Sequence, residues 1–269
     1  MKKNIQLFLG IIITALIFLM SLLSFFWAPH EYNEMDNSVR LSPPSFSYFF
    51  GTDNFGRDVF SRVMAGGRYS LFLAVCTVVS AAAAGCILGL LAGYRGGITN
   101  EIIMRIIDTL SSFPGIVLAL LLVAVMDNSQ FSLFIALFIL FIPSYTRVMR
   151  TGAMQYRNSI FIQAENILGA GFFRITFIHI LPNLAPSLLS ASVLGLSNAI
   201  LAESTMSYLG MGIQPPEPSW GRMLFESQSW FFNAPWCTAA PGIFIMMTVI
   251  AFHLLGEGIR KYFGGRGIA

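Results

Sequence analysis

Apolar residues fall into six long runs, at about 5–27, 70–93, 106–126, 131–148, 184–206 and 238–256, with polar stretches between them. Each approaches the roughly 20 residues that an α-helix needs to cross a hydrocarbon layer of about 30 Å. The pattern predicts an all-α membrane protein with six transmembrane helices. Pro114 and Pro143 lie in the third and fourth runs, where neighbouring helices or water can satisfy the carbonyls that proline frees. Lys2 and Lys3 precede the first run as in a signal peptide, but its apolar part is too long and no small-residue cleavage site follows. It is read as an uncleaved helix.

Composition agrees with the pattern. Hydrophobic residues make up 55% of the 269 and charged residues only 11%, less than half the share usual in soluble domains. So few charges cannot cover a surface in water, so much of the surface must face lipid. The net charge of +3 gives no footprint for nucleic acid. Cys76, Cys86 and Cys237 match no metal spacing and read as packing residues. With the N-terminus inside, Arg40, Arg57, Arg62, Arg68 and Arg222 fall outside and the other Lys and Arg residues inside. This positive-inside bias places both termini in the cytoplasm.

Three polar stretches remain: outer ones at 28–69 and 207–237, and an inner one at 149–183. The inner stretch reads as two short helices. Asn158 or Ser159 can cap the first, and Gly169 and Gly171 end it. The second covers 172–180 and stops before Pro182. Such a pair makes either a knob for a soluble partner or a hairpin lying on the bilayer.

The spacing inside this loop carries a resemblance. Gln163-Ala164-Glu165, then Gly169, then His179-Ile180-Leu181-Pro182 is similar to the coupling loop of ABC importer permeases. That pattern is Glu-Ala-Ala, three residues, Gly, nine residues, then Ile-x-Leu-Pro. Gln163 and His179 depart from it. The stretch from Phe50 to Arg62 resembles the segment after the first helix of the second permease in dipeptide, oligopeptide and nickel importers. The stretch from Leu209 to Gly221 resembles the loop after their fifth helix. The resemblance implies a type I ABC importer permease fold in the bacterial cytoplasmic membrane. It implies a heterodimer with a second permease subunit, two cytoplasmic ATPases and an extracytoplasmic substrate-binding protein. Peptides, nickel or metal chelates are the implied substrates. No phosphate loop with its lysine is present, so ATP and magnesium would bind to the partner ATPases, and this chain would need no cofactor and perform no catalysis. The division that follows is 1–69 for the first helix and outer segment, 70–260 for the permease core with its coupling loop at 156–183, and 261–269 for a short tail. An ion-coupled secondary transporter is the alternative, and it would call for more charge at mid-bilayer than these runs contain.

Candidate residues follow from these readings. ATPase coupling is assigned to Gln163, Ala164, Glu165, Gly169, Ala170, Gly171 and Pro182. Glu203, with Asn198 below it, is a candidate either for the pathway or for a polar contact at the membrane rim, since ionisable residues near a bilayer are costly. Asp108 is expected to pair with Arg105. A short helix at 53–66, capped by Asp53 or Asn54, would be either a structural plug or, through Arg57, Asp58 and Arg62, a contact for the binding protein. Pro216 and Glu217 form a second candidate contact. Ala81, Gly85, Gly89 and Gly93 make a small-residue ridge that suits either packing within the subunit or a seam between permeases.

Overall fold

The computed structural model describes residues 5–264, so Lys2, Lys3, Arg266 and most of the expected tail lie outside the described residues. Nine α-helices are found among the described residues: α1 Ile5–Leu23, α2 Val59–Arg95, α3 Gly97–Ser111, α4 Gly115–Val125, α5 Gln130–Arg157, α6 Ile160–Ile167, α7 Leu181–Tyr208, α8 Trp220–Ser227 and α9 Pro235–Gly264. Five runs are long and apolar enough to span a membrane, and α3 with α4 forms a sixth, broken one.

The third expected span is therefore not straight. α3 and α4 meet at 87° across the Ser112-Phe113-Pro114 break. Pro114 offers no N–H and disfavours a helical residue before it. The hydroxyls of Thr109, Ser111 and Ser112 donate back to the carbonyls of Arg105, Ile107 and Thr109, satisfying acceptors near the end of α3.

The expected short helix at 53–66 does not exist as a separate element either. Gly56 adopts φ +75°, and Asp53 closes a turn by accepting from the backbone N–H groups of Phe55 and Arg57. Asp58 is the true cap, accepting from the Ser61 N–H at 3.0 Å. From there α2 runs unbroken for 37 residues, about 55 Å at 1.5 Å per residue. Its first turns thus project beyond a hydrocarbon layer of roughly 30 Å. Gly66 and Gly67 do not interrupt it, because Ser219, Trp220 and Ser21 pack where their side chains would be.

The small-residue ridge packs inside the subunit. Gly85, Gly89 and Gly93 lie on Tyr145, Met149 and Ala153 of α5, in parallel register. A Cβ at Gly89 would stand 2.6 Å from the Met149 Cβ and from the Thr146 carbonyl oxygen. α1 runs antiparallel to α9, with Gly10 against Leu255 and Gly258 against Leu7. α7 also lies along α9. The starts of α1 and α7 and the ends of α2, α5 and α9 gather at one end of the bundle with α6, and α8 lies at the other. The α4–α5 turn is fixed by Asp127: hydrogen bonds from the hydroxyls of Ser132 and then Ser129 hold its carboxyl below the usual carboxylate range.

Candidate coupling loop, polar groove and buried networks

At the α6 end the loop folds as one hairpin with an unexpected second arm. α6 begins at Ser159, but the Ser159 hydroxyl donates to the Tyr156 carbonyl and does not cap the helix; Asn158 closes α5 instead. Gly169 takes φ +79°, the left-handed turn that glycine permits. The second arm does not stop at Pro182. Residues Arg174–Ile180 form a π-helical segment that runs directly into α7, with Pro182 in the first turn of α7. The Leu181 N–H bonds the Thr176 carbonyl, five residues back, and this wider turn leads into the proline without ending the helix.

Gln163, Ala164, Gly169, Gly171 and Pro182 are exposed, while Glu165 and Ala170 are half-buried. Around them Ile160, Ile167, Leu168 and Phe173 stand out, Ile167 at 86% and Leu168 at 81% exposure. Below, Ile162, Ile175 and Ile180 pack with Leu90, Met149 and Ala153 into a core that ties the loop to α2 and α5. Glu165 reaches across the hairpin. Its Oε2 lies 3.5 Å from His179 Nε2 and 4.0 Å from Arg174 Nη2.

From this loop a groove climbs between α5 and α7. Its lower part is lined by Arg147, Thr151, Gln155, Asn183 and Ser187. Its upper part is lined by Phe141, Ser144, Tyr145, Ala191, Gly195 and Asn198, and Val148 joins the two. Positions 144, 147, 151 and 155 recur at helical spacing and are exposed, as are 183, 187 and 198. An exposed stripe of hydroxyls and amides along two apolar spans is unsuited to lipid, which leaves such groups unsatisfied. Asn198 lies on this stripe, in the upper part of the groove. The other polar positions went unnoticed in the sequence, although their spacing of three and four residues was visible there.

Asp108 sits beside this groove, but its partner is not Arg105. Arg147 Nη2 donates to Asp108 Oδ1 at 3.0 Å and to Ser111 Oγ at 2.9 Å. The pair is open, with the Asp108 side chain 62% exposed and that of Arg147 49%. It joins α3 to α5 at the lower half of the groove.

Glu203 lies elsewhere. It is fully buried, with Ser207 Oγ donating to Oε1 at 2.7 Å and Ser204 Oγ to Oε2 at 3.4 Å. The hydroxyls of Ser70 in α2 and Ser219 at the start of α8 complete the ring. Its burial is a correction to the pathway assignment: the carboxyl ties α2, α7 and α8 together and faces no groove.

Arg57, Asp58 and Arg62 are likewise buried, at 6%, 2% and 2% exposure. Arg57 and Arg62 each donate through Nη2 to Glu226 Oε2 at 3.0 Å, and Arg222 Nε donates to Oε1 at 3.1 Å. Asp53 Oδ2 accepts from Arg57 Nε at 2.6 Å. Asp58 accepts from Ser61 and lies 3.6 Å from His30 Nδ1. These side chains clamp the outer segment and the start of α2 onto α8, so they present no surface to a binding protein. Sequence alone could not pair residues 57 and 226. Of the candidate contacts, Pro216 is exposed and Glu217 half-buried.

Residues 85–266 match the family described as binding-protein-dependent transport system inner membrane component. That stretch holds α3 to α9, the loop and the groove. The chain belongs to this family. It is 36% identical to the dipeptide transport system permease protein of Haemophilus influenzae, over 96% of this chain and 90% of that one. It is 37% identical to a probable D,D-dipeptide transport system permease protein of Escherichia coli, over 93% and 84%. An oligopeptide transport system permease protein of Bacillus subtilis shares 35% over 96% and 85%. This family member is an ABC importer permease, a multi-pass protein of the bacterial cytoplasmic membrane, and works in a system with ATPase and substrate-binding partners. The ion-coupled alternative has no support among these matches.

Proposed function

We propose that this permease forms half of a peptide translocation pathway and that its share of the wall is the α5–α7 groove. The observation that carries this is the continuous polar stripe from Asn198 to Gln155, which leads down to the coupling loop. A homologous second permease would supply the facing wall in a heterodimer. Peptides are the part of the expected substrate range that the relatives' names support. The α6 end faces the cytoplasm, as the positive-inside bias indicates. There the exposed Ile167, Leu168 and Phe173 suit a hydrophobic cleft on an ATPase, and Gln163 to Gly171 form the contact. ATP and magnesium belong to two such ATPases. The exposed Pro216 turn at the α8 end is the remaining candidate contact for the binding protein.

Cysteine labelling tests the pathway. In the assembled transporter, with Cys76, Cys86 and Cys237 replaced, cysteines at Thr151, Ser187 and Asn198 should react with a water-soluble maleimide. A cysteine at Ile250, exposed on the apolar face of α9, should not. Labelling of position 250 alone, or of none of the groove positions in any nucleotide state, would sink the assignment.

A further inference from the structure

A second groove, between α1 and α2 near the α8 end, belongs to neither the polar stripe nor the coupling loop. Phe18, Leu22 and Phe25 form one wall and Leu71, Phe72 and Val75 the other, around about 880 Å³ of open space. Such a lining places the groove in hydrocarbon. Its end toward the outer segment, however, carries a cation. The Arg68 guanidinium lies 4.3 Å from the Phe25 ring centroid and 5.5 Å from that of Tyr32. Arg68 Nε is buried, and its N–H donates to no partner. The carboxylates at this end are engaged elsewhere: Asp53 and Glu226 by Arg57, Arg62 and Arg222, Asp58 by Ser61 and His30, and Glu217 by Tyr69. Among the described residues, none places a carboxylate within ion-pair distance of Arg68.

We propose that this groove is a binding site for one phospholipid, with its phosphate on the Arg68 guanidinium and an acyl chain along Phe18, Leu22, Phe72 and Val75. A guanidinium fixed between two rings presents a planar fork, which matches two phosphate oxygens at once. An anion there also answers the cost of keeping a cation without a counter-charge beside apolar walls. Position supports the match: Arg68 lies just outside the 70–93 run, where headgroups meet hydrocarbon. An apolar helix of the second permease would fill the groove but bring no anion.

Native mass spectrometry of the assembled transporter, stripped in detergent and titrated with phosphatidylglycerol, tests this. The unaltered complex should retain one phospholipid at this site. Arg68→Gln should bind it roughly tenfold more weakly, the loss expected for one charge-assisted pair. Leu22→Trp, which fills the groove at an exposed position and leaves Arg68 intact, should also lose it. Equal retention by Arg68→Gln would overturn the phosphate assignment, and equal retention by Leu22→Trp the groove. Should Arg68→Gln fail to assemble, Leu22→Trp decides alone. A disulfide between a cysteine at Phe72 and the second permease, formed at full yield, would overturn the proposal by showing the groove already occupied.

Discussion

His179 Nε2 faces Glu165 Oε2 at 3.5 Å across the coupling hairpin. His179 stands where the importer pattern has isoleucine, and Glu165 stands where its second alanine falls, a departure additional to those at Gln163 and His179. The two departures answer each other, polar for polar, on either side of the Gly169 turn. A partly exposed contact of this kind, ionic only while the imidazole carries a proton, contributes up to about 1 kcal/mol. Glu165→Ala or His179→Ile alone should therefore lower coupled uptake by about two- to fivefold. The double variant, which restores the family residues, should recover most of it. A double-mutant cycle on transport by reconstituted complexes measures the coupling, and strictly additive losses would show that the pair does not act as a unit.

Gly89 packs with no room against Met149 and Thr146. Gly89→Ala should destabilise the subunit by about 1–3 kcal/mol through overpacking. Gly242, where an added methyl would meet nothing within 4 Å, is the matched control in α9. Gly242→Ala should leave the melting temperature of the purified complex unchanged. Equal shifts for the two would remove the argument for the α2–α5 seam.

Among the described residues, Glu226 is the one carboxylate that touches Arg57, Arg62 and Arg222 together. Its loss would leave Arg57 and Arg62, both buried, with Asp53 as their remaining carboxylate. Glu226→Ala should cost about 3–5 kcal/mol, as breaking a buried pair does. Low yield of folded protein in membranes, with Glu226→Asp partly restored, is the expected result.

Glu203 separates two views of an intramembrane acid. Inside its ring of serines a neutral amide keeps one acceptor oxygen, and the hydroxyls facing its NH2 can turn to accept, so Glu203→Gln should keep uptake within about twofold of normal. Glu203→Leu should fail to accumulate, since it leaves several buried hydroxyls unpaired at about 1–3 kcal/mol each. Loss of uptake by well-folded Glu203→Gln would return this residue to the pathway.

The sequence showed the spans well because a bilayer demands long apolar runs, and five of the six formed near the expected positions. It failed where a local signal competed with a distant one. The apolar run at 106–126 hid the bend, although Ser111, Ser112 and Pro114 were all in view. Arg105 looked like the partner of Asp108 because it is three residues away, whereas Arg147 comes from another helix. In the same way Arg57 and Arg62 suited either a structural plug or a contact for the binding protein, because Glu226, their buried-side partner, lies 164 residues beyond Arg62. The turn at Gly169 was legible because it depends on local conformation alone, whereas the stop expected before Pro182 did not form.

The π-helical join at Ile180 has a mechanical consequence. The run from Arg174 to Tyr208 is 35 residues without a break, a rod of about 50 Å. With no loop between the hairpin and the span, a push at Phe173 passes into a continuous helix and is not taken up by slack chain. A small sideways step below would then swing Asn198 on the groove wall and strain the serine cradle of Glu203 near its far tip, so that a nudge on one side of the bilayer is felt on the other without any messenger in between.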